Sequence, residues 1–182
     1  MPAQFNKLGI RFTYPDNWKL DESEVIEGEP TVTLYAPEGS FWTISLHPLD
    51  ADPGVLVKAA VAALRDTYTD LDYEPVREAI AGQELVGADV NFYCLDLTNT
   101  ALVRSYVGPR HVGLILCQAE DRDYAQVEPV FRAMMHNLLA NIDDASEAAD
   151  EADDEAIIDV EPIEDLGGDD ENEAGTPRLP PR

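Results

Sequence analysis

The sequence is poor in the residues that most often disclose a function. Its 182 residues include only two cysteines, Cys94 and Cys117. Both lie in apolar, strand-like segments, the setting of small buried hydrophobes rather than of a disulfide or a metal pair. Basic residues are scarce, 12 Lys and Arg against 37 Asp and Glu, for a net charge of −25. Nucleic-acid affinity comes from clustered cations that neutralise phosphates, so no nucleic-acid partner is expected. The same shortage argues against an anionic membrane surface. No apolar run approaches the roughly 20 residues of a membrane span, the longest lying near 112–117. The opening MPAQFNKLGIRF has neither the apolar core nor the small-residue cleavage site of a secretory signal, and a cytoplasmic location is the expectation.

Catalytic signatures are equally sparse. There is no Gly-x-Ser-x-Gly elbow, no phosphate-binding loop and no dinucleotide glycine fingerprint. AGQELVGADV (81–90) has two glycines but not the strand-turn-helix setting that a phosphate site requires. His47, His111 and His136 are far apart and fit no spaced metal motif, which leaves them as surface or partly satisfied side chains. No catalytic residue, metal ligand or cofactor is assigned.

What the chain does have is an abrupt change of character at Asp143. Residues 1–142 carry 21 acidic and 10 basic side chains, net −11, and 143–182 carry 16 and 2, net −14. A stretch this charged cannot bury enough surface to offset the entropy of ordering its backbone, and it reads as a disordered acidic tail. The preceding 142 residues are the size of one self-sufficient domain.

Within that domain, Ile10, Phe12 and Tyr14 alternate with polar residues as in a half-buried strand. Pro15, Asp16 and Asn17 turn the chain, and Trp18 and Leu20 face inward on the returning segment. Val32 and Leu34, then Trp42, Ile44 and Leu46, alternate on either side of the turn residues 37–40 and predict an antiparallel hairpin. Asp52-Pro53 places a cap and a first-turn proline ahead of Leu56, Ala60, Ala63, Leu64, Tyr68 and Leu71 at helical spacing, the last two where the helix frays. From 85 to 97 the inward phase runs Val86, Ala88, Val90, Phe92, Cys94 and then slips to Leu95 and Leu97, which predicts a bulge near Cys94. Thr98-Asn99-Thr100 and Gly108-Pro109-Arg110 read as tight connections around a strand over 101–107. Residues 112–117 are apolar on both faces, as in a central strand. Val127, Phe131, Met134, Met135, Leu138 and Ile142 form an apolar stripe on a closing helix, in which Pro129 predicts a kink or a separate first turn over 123–128.

The tail holds one anomaly, AIIDVEPIEDL (156–166), where Ile157, Ile158, Val160, Ile163 and Leu166 interrupt the acidic blocks. Apolar anchors flanked by acids have the composition of a short docking peptide, and these five residues are the candidate partner-binding set. The competing reading is a tail that merely confers solubility. The run DDASEAADEADDE (143–155) lacks the central glycine and ligand alternation of a calcium loop, and TPRLPPR (176–182) fits a proline-rich ligand only weakly.

The order of elements, together with GIRFTYPDNW (9–18) and VFRAMMHNLLANI (130–142), resembles the PsbP-like superfamily. That group includes the photosystem II extrinsic protein, the Ran guanine-nucleotide release factor and DcrB-type proteins. The resemblance spans about 5–142 and rests on structural motifs. It implies an α/β/α architecture, an antiparallel sheet sandwiched by helices, and mostly non-enzymatic roles in assembly or binding. It transfers no catalytic residue, and the acidic tail is not part of its pattern.

The expected function is therefore a non-enzymatic protein-binding or chaperone-like module. Its partner is another protein offering a basic surface or an apolar groove. Two alternatives stand beside it: an enzyme whose site assembles from distant residues, and an electrostatic adaptor acting through the acidic tail.

Overall fold

The computed structural model of the chain describes residues 1–22, 25–26 and 29–143. The acidic tail and its apolar segment 156–166, with Ile157, Ile158, Val160, Ile163 and Leu166, lie outside the described residues. So does the calcium-loop comparison at 143–155, apart from Asp143 itself.

The chain opens with a hairpin of β1 (Ala3–Lys7) and β2 (Ile10–Tyr14), which forms its own two-stranded sheet. After the turn closed by the Trp18 amide on the Pro15 carbonyl at 3.1 Å come β3 (Lys19–Asp21), β4 (Val25–Ile26), β5 (Glu29–Tyr35) and β6 (Phe41–His47). Helix α1 (Pro53–Thr67) follows, then β7 (Thr69–Ile80), β8 (Gln83–Cys94), β9 (Leu97–Val107), β10 (Val112–Glu120) and helix α2 (Asp121–Ala140). The main sheet is antiparallel throughout in the order β3-β5-β6-β10-β9-β8-β7, with β4 paired to the start of β5. Helix α1 thus carries the chain from β6 across one face to the far edge, and three hairpins bring it back so that β10 fills the centre beside β6.

The two helices cover opposite faces. On the α2 face, Val127, Phe131, Met134, Met135 and Leu138 meet Leu34, Trp42, Ile44, Leu102 and Ile115. The β1–β2 ribbon extends this layer through Phe5, Ile10 and Phe12. Phe12 lies 5.0 Å from Trp42 and Trp18 meets Phe131 edge-on at 6.0 Å, favourable ring geometries. The Thr13 amide donates to Asn137 Oδ1 at 2.7 Å and ties the ribbon to α2. On the α1 face, Val57, Val61 and Leu64 pack on Ala88, Val90, Phe92, Ala101 and Val103. Leu114 and Leu116 point to this side while Ile115 and Cys117 point to the other, so β10 is apolar on both faces as its sequence implied.

Several local expectations are corrected. The phase slip around Cys94 is a two-residue turn rather than a bulge: Cys94 pairs with Leu97, and Leu95 and Asp96 both have positive φ, 51° and 64°. Such a turn matches the twist of the strands it joins. Thr98, Asn99 and Thr100 are accordingly paired residues of β9 and not a connection. Helix α1 ends at Thr67, so Leu71 belongs to β7, and its buried stripe is Val57, Val61 and Leu64 while Ala63 is exposed. Alanine spacing fits more than one helical phase, and β-branched Val57 and Val61 decide it by packing. Asp52 caps as expected, accepting from the Val55 amide at 3.0 Å. Helix α2 is one element from Asp121, with Pro129 inside it rather than after a separate first turn. Cys117 is fully buried whereas Cys94 is half-buried.

Candidate functional site

A groove of about 720 Å³ lies between α1 and the outer strands β7 and β8. It lies where the helix packs chiefly on β9 and β8 and less closely on the edge strand. Its floor is small and apolar, from Ala88 and Val86 of β8 to Val57 and Val61 of α1. Gly87 also lines the groove, but the space its missing side chain leaves is on the opposite face of the sheet, where a Cβ would come within 2.7 Å of Arg104 Cδ.

The rim is cationic. Lys58 and Arg65 of α1 and Arg77 of β7 line the groove, three of the ten basic residues in 1–142, and no carboxylate does. Strand alternation produces this separation. Tyr73, Pro75 and Arg77 line the groove, whereas Glu78 turns to the α2 face and bonds Arg104 and Arg132 there. The Arg65 guanidinium sits 5.5 Å from the centroid of the half-exposed Tyr73 ring, an attraction of cation to ring face. Exposed apolar and aromatic surface beneath free cations, in a chain of net charge −25, is suited to an apolar segment that carries carboxylates.

The α2 face holds a different kind of charge. Arg104, 1% exposed, bonds Glu78 and donates to Asp89 at 2.7 Å and to the Ala88 and Val103 carbonyls at 3.1 and 2.9 Å. Arg132 reaches Glu78 at 3.1 Å and Glu128 at 3.0 Å. Burial pushes the Glu78 carboxyl up, but Arg104 and Arg132 outweigh it and hold the group below its ordinary value. The network ties the edge strand to β8, β9 and α2, and its donors are occupied by its own acceptors.

Two of the three histidines, far apart in sequence, are brought together by the fold. His47 and His111 share a smaller cleft of about 380 Å³ with Arg110 and Glu29. His47 Nε2 meets the Ser45 hydroxyl at 2.9 Å, and His111 Nε2 meets the Tyr106 hydroxyl at 3.1 Å. His111 is buried, and burial lowers its pKa. His136 is exposed on α2. No group of three His, Cys, Asp or Glu side chains is placed to hold a metal among the described residues, and no described helix is long and apolar enough to cross a membrane.

Sequence reasoning assigned the candidate partner-binding residues to the tail and missed the groove. Its lining comes from three elements, one of which, β7, has no inward apolar period to reveal it. The sequence feature that bears on it is the pair Lys58 and Arg65, each one position after a buried residue of α1, Val57 and Leu64.

An antiparallel sheet with one helix on each face, closed by a long C-terminal helix, defines the architecture as α/β/α. Among solved structures, cyanobacterial PsbP from Synechocystis is similar to this chain with a TM-score of 0.53 at 14% identity, over 75% of this chain and 90% of that one. A Bacteroides thetaiotaomicron protein aligns with a TM-score of 0.51 at 14% identity, over 74% of this chain and 46% of its own. PA94 from Pseudomonas aeruginosa, described as a protein of unknown function, gives 0.47 at 15% identity over 75% and 95%. The fold is PsbP-like, as the sequence motifs implied. No protein-family model and no curated protein sequence matches.

Proposed function

We propose that the chain is a non-enzymatic binding module whose α1–β7 groove accepts an apolar peptide segment bearing carboxylates. The observation that carries this reading is the groove itself, apolar in its floor, rimmed by Lys58, Arg65 and Arg77, and free of acidic lining in a strongly acidic chain. Apolar pockets for alternate side chains with cations at the edge supply both the affinity and the orientation of a docked peptide. The bonded histidine cleft lends an enzymatic reading less support, because both imidazoles already meet internal hydroxyls. The test is fluorescence anisotropy with a panel of labelled eleven-residue peptides in which Ile, Val and Leu are interspersed with Asp and Glu. Saturable binding that weakens with ionic strength is the expected result. The double variant Lys58→Glu, Arg77→Glu should weaken it by at least about tenfold, about 1.4 kcal/mol. Absence of binding across the panel, or indifference to the charge reversal, overturns the proposal.

A further inference from the structure

We infer that the groove is occupied in cis by the chain's own segment 156–166, so that the module is strapped by its tail. The inference rests on the peptide-binding reading of the groove and names the occupant. The chemistry is complementary. Ile157, Ile158, Val160, Ile163 and Leu166 match an apolar floor, and Asp159, Glu161, Glu164 and Asp165 match a rim that holds three cations and no carboxylate.

The path is short enough. Helix α2 delivers the chain at Ile142, which packs into the α2-face core, and a Cβ at Gly108 would lie 3.0 Å from the Ile142 Cδ1. Gly108 follows the end of β9, and the neighbouring Tyr106 pairs with Leu85 of β8, one residue from Val86. Val86 in turn pairs with Arg77 of β7. The tail therefore leaves the body at the same end of the sheet as the groove, two strands away and on the other face. Two strand spacings, two residues of strand and a passage around the sheet end from one helical layer to the other amount to roughly 30 Å. The fourteen residues from 143 to 156 span up to about 46 Å when extended.

Tethering makes a weak contact sufficient. A tether of fourteen residues holds its segment at an effective concentration on the order of 1 mM, so an intrinsic dissociation constant of about 0.1 mM already leaves the groove closed about ten to one. A partner segment must displace the strap, and the tail then sets the threshold for binding.

The experiment uses the full chain and the labelled peptide AIIDVEPIEDL as probe. In the triple variant Ile157→Ser, Ile158→Ser, Val160→Ser the charge is kept and the strap loses its anchors. The peptide should bind this variant about tenfold more tightly than it binds the wild type. Amide resonances of Val57, Lys58 and Arg77 should also differ between the two proteins in the absence of peptide. Equal peptide affinity for both proteins, with unchanged groove amides, overturns the strap and leaves the groove reading standing. Failure of this peptide to bind either protein also overturns the strap, and the peptide panel then decides the groove separately. A difference that fades on dilution assigns the tail to a second copy and overturns the intramolecular form.

Discussion

The two faces of the sheet are built from the same strands yet finished in opposite ways. The α2 face carries most of the large side chains, Phe12, Trp42, Tyr106 and Phe131 among them, and its charged groups bond one another. The α1 face is built mainly of smaller side chains, with Val57 and Val61 on Ala88, Ala101 and Val103, and its aromatic content is the stacked pair Tyr68 and Phe92. Small residues let the helix approach closely but span less width, so the edge strand β7 is covered only in part. One face thus carries the larger core, and the other keeps an open groove. Stability and binding are separable to the extent that this division is real.

The strongest way to break the comparison is to truncate each face in turn. Phe131 is fully buried and touches Trp18, so Phe131→Ala should cost about 3–5 kcal/mol in chemical denaturation. Val61 of α1 is 5% exposed and its side chain is smaller. Val61→Ala loses two methyl groups beside a groove that can relax, and should cost about 1–2 kcal/mol. Equal losses at the two sites would mean that the α1 face is as fully packed as the other and that the groove is not an unfinished surface.

Much of the stable face was legible in the sequence, and little of the open one. The stripe of α2 could be read because six large side chains fall on one helical face. The β5–β6 hairpin could be read because Val32, Leu34, Trp42 and Ile44 alternate with small polar residues. Strand β1 was missed since Phe5 is its one buried side chain. Strand β7 was missed for a related reason: an edge strand with one face in a groove shows mostly exposed residues, and its Asp, Glu and Pro75 look like loop composition. The β8–β9 turn was hidden because Leu95-Asp96 takes the left-handed conformation without a glycine. A groove formed by residues with no inward period leaves no periodic signal, and only the three-dimensional sorting of charge by strand alternation exposes it.

A second contrast between the faces is their response to acid. The Glu78 carboxyl has a folded-state pKa below its ordinary value because the two guanidiniums outweigh burial. The unfolded chain then binds the proton more readily than the folded one. The contribution of this group is fully present above the ordinary carboxylate value of 4.5 and is lost as pH falls through the lower folded value. Denaturation followed from about pH 7 to about pH 3 should therefore show a fall that Glu78→Gln makes shallower. The groove has no lining carboxylate, so Lys58→Gln should leave the slope unchanged. An unaltered slope in Glu78→Gln would mean that the network on the α2 face does not distinguish the folded chain from the unfolded one.

The smallest expected effect on stability is also the sharpest test of the division. Lys58, Arg65 and Arg77 are exposed, and none has an ion-pair partner among the described residues. Such cations contribute little to folding themselves, and in the Ile157→Ser, Ile158→Ser, Val160→Ser background, where the strap has lost its anchors, reversing two of them should change the unfolding free energy by no more than about 0.5 kcal/mol. The body is already acidic, at −11 over 1–142, and Lys58→Glu with Arg77→Glu would take it to −15, a change of two units at each site. General self-repulsion of that size is largely screened at physiological salt. The same double variant should nevertheless lose binding of acidic, aliphatic peptides, because it places carboxylates where the incoming ones would lie. Parallel measurement of denaturation and peptide anisotropy on one preparation separates the two outcomes. A stability loss above about 2 kcal/mol would make these cations structural, and the groove would then be part of the fold's own packing rather than a surface left open for a ligand.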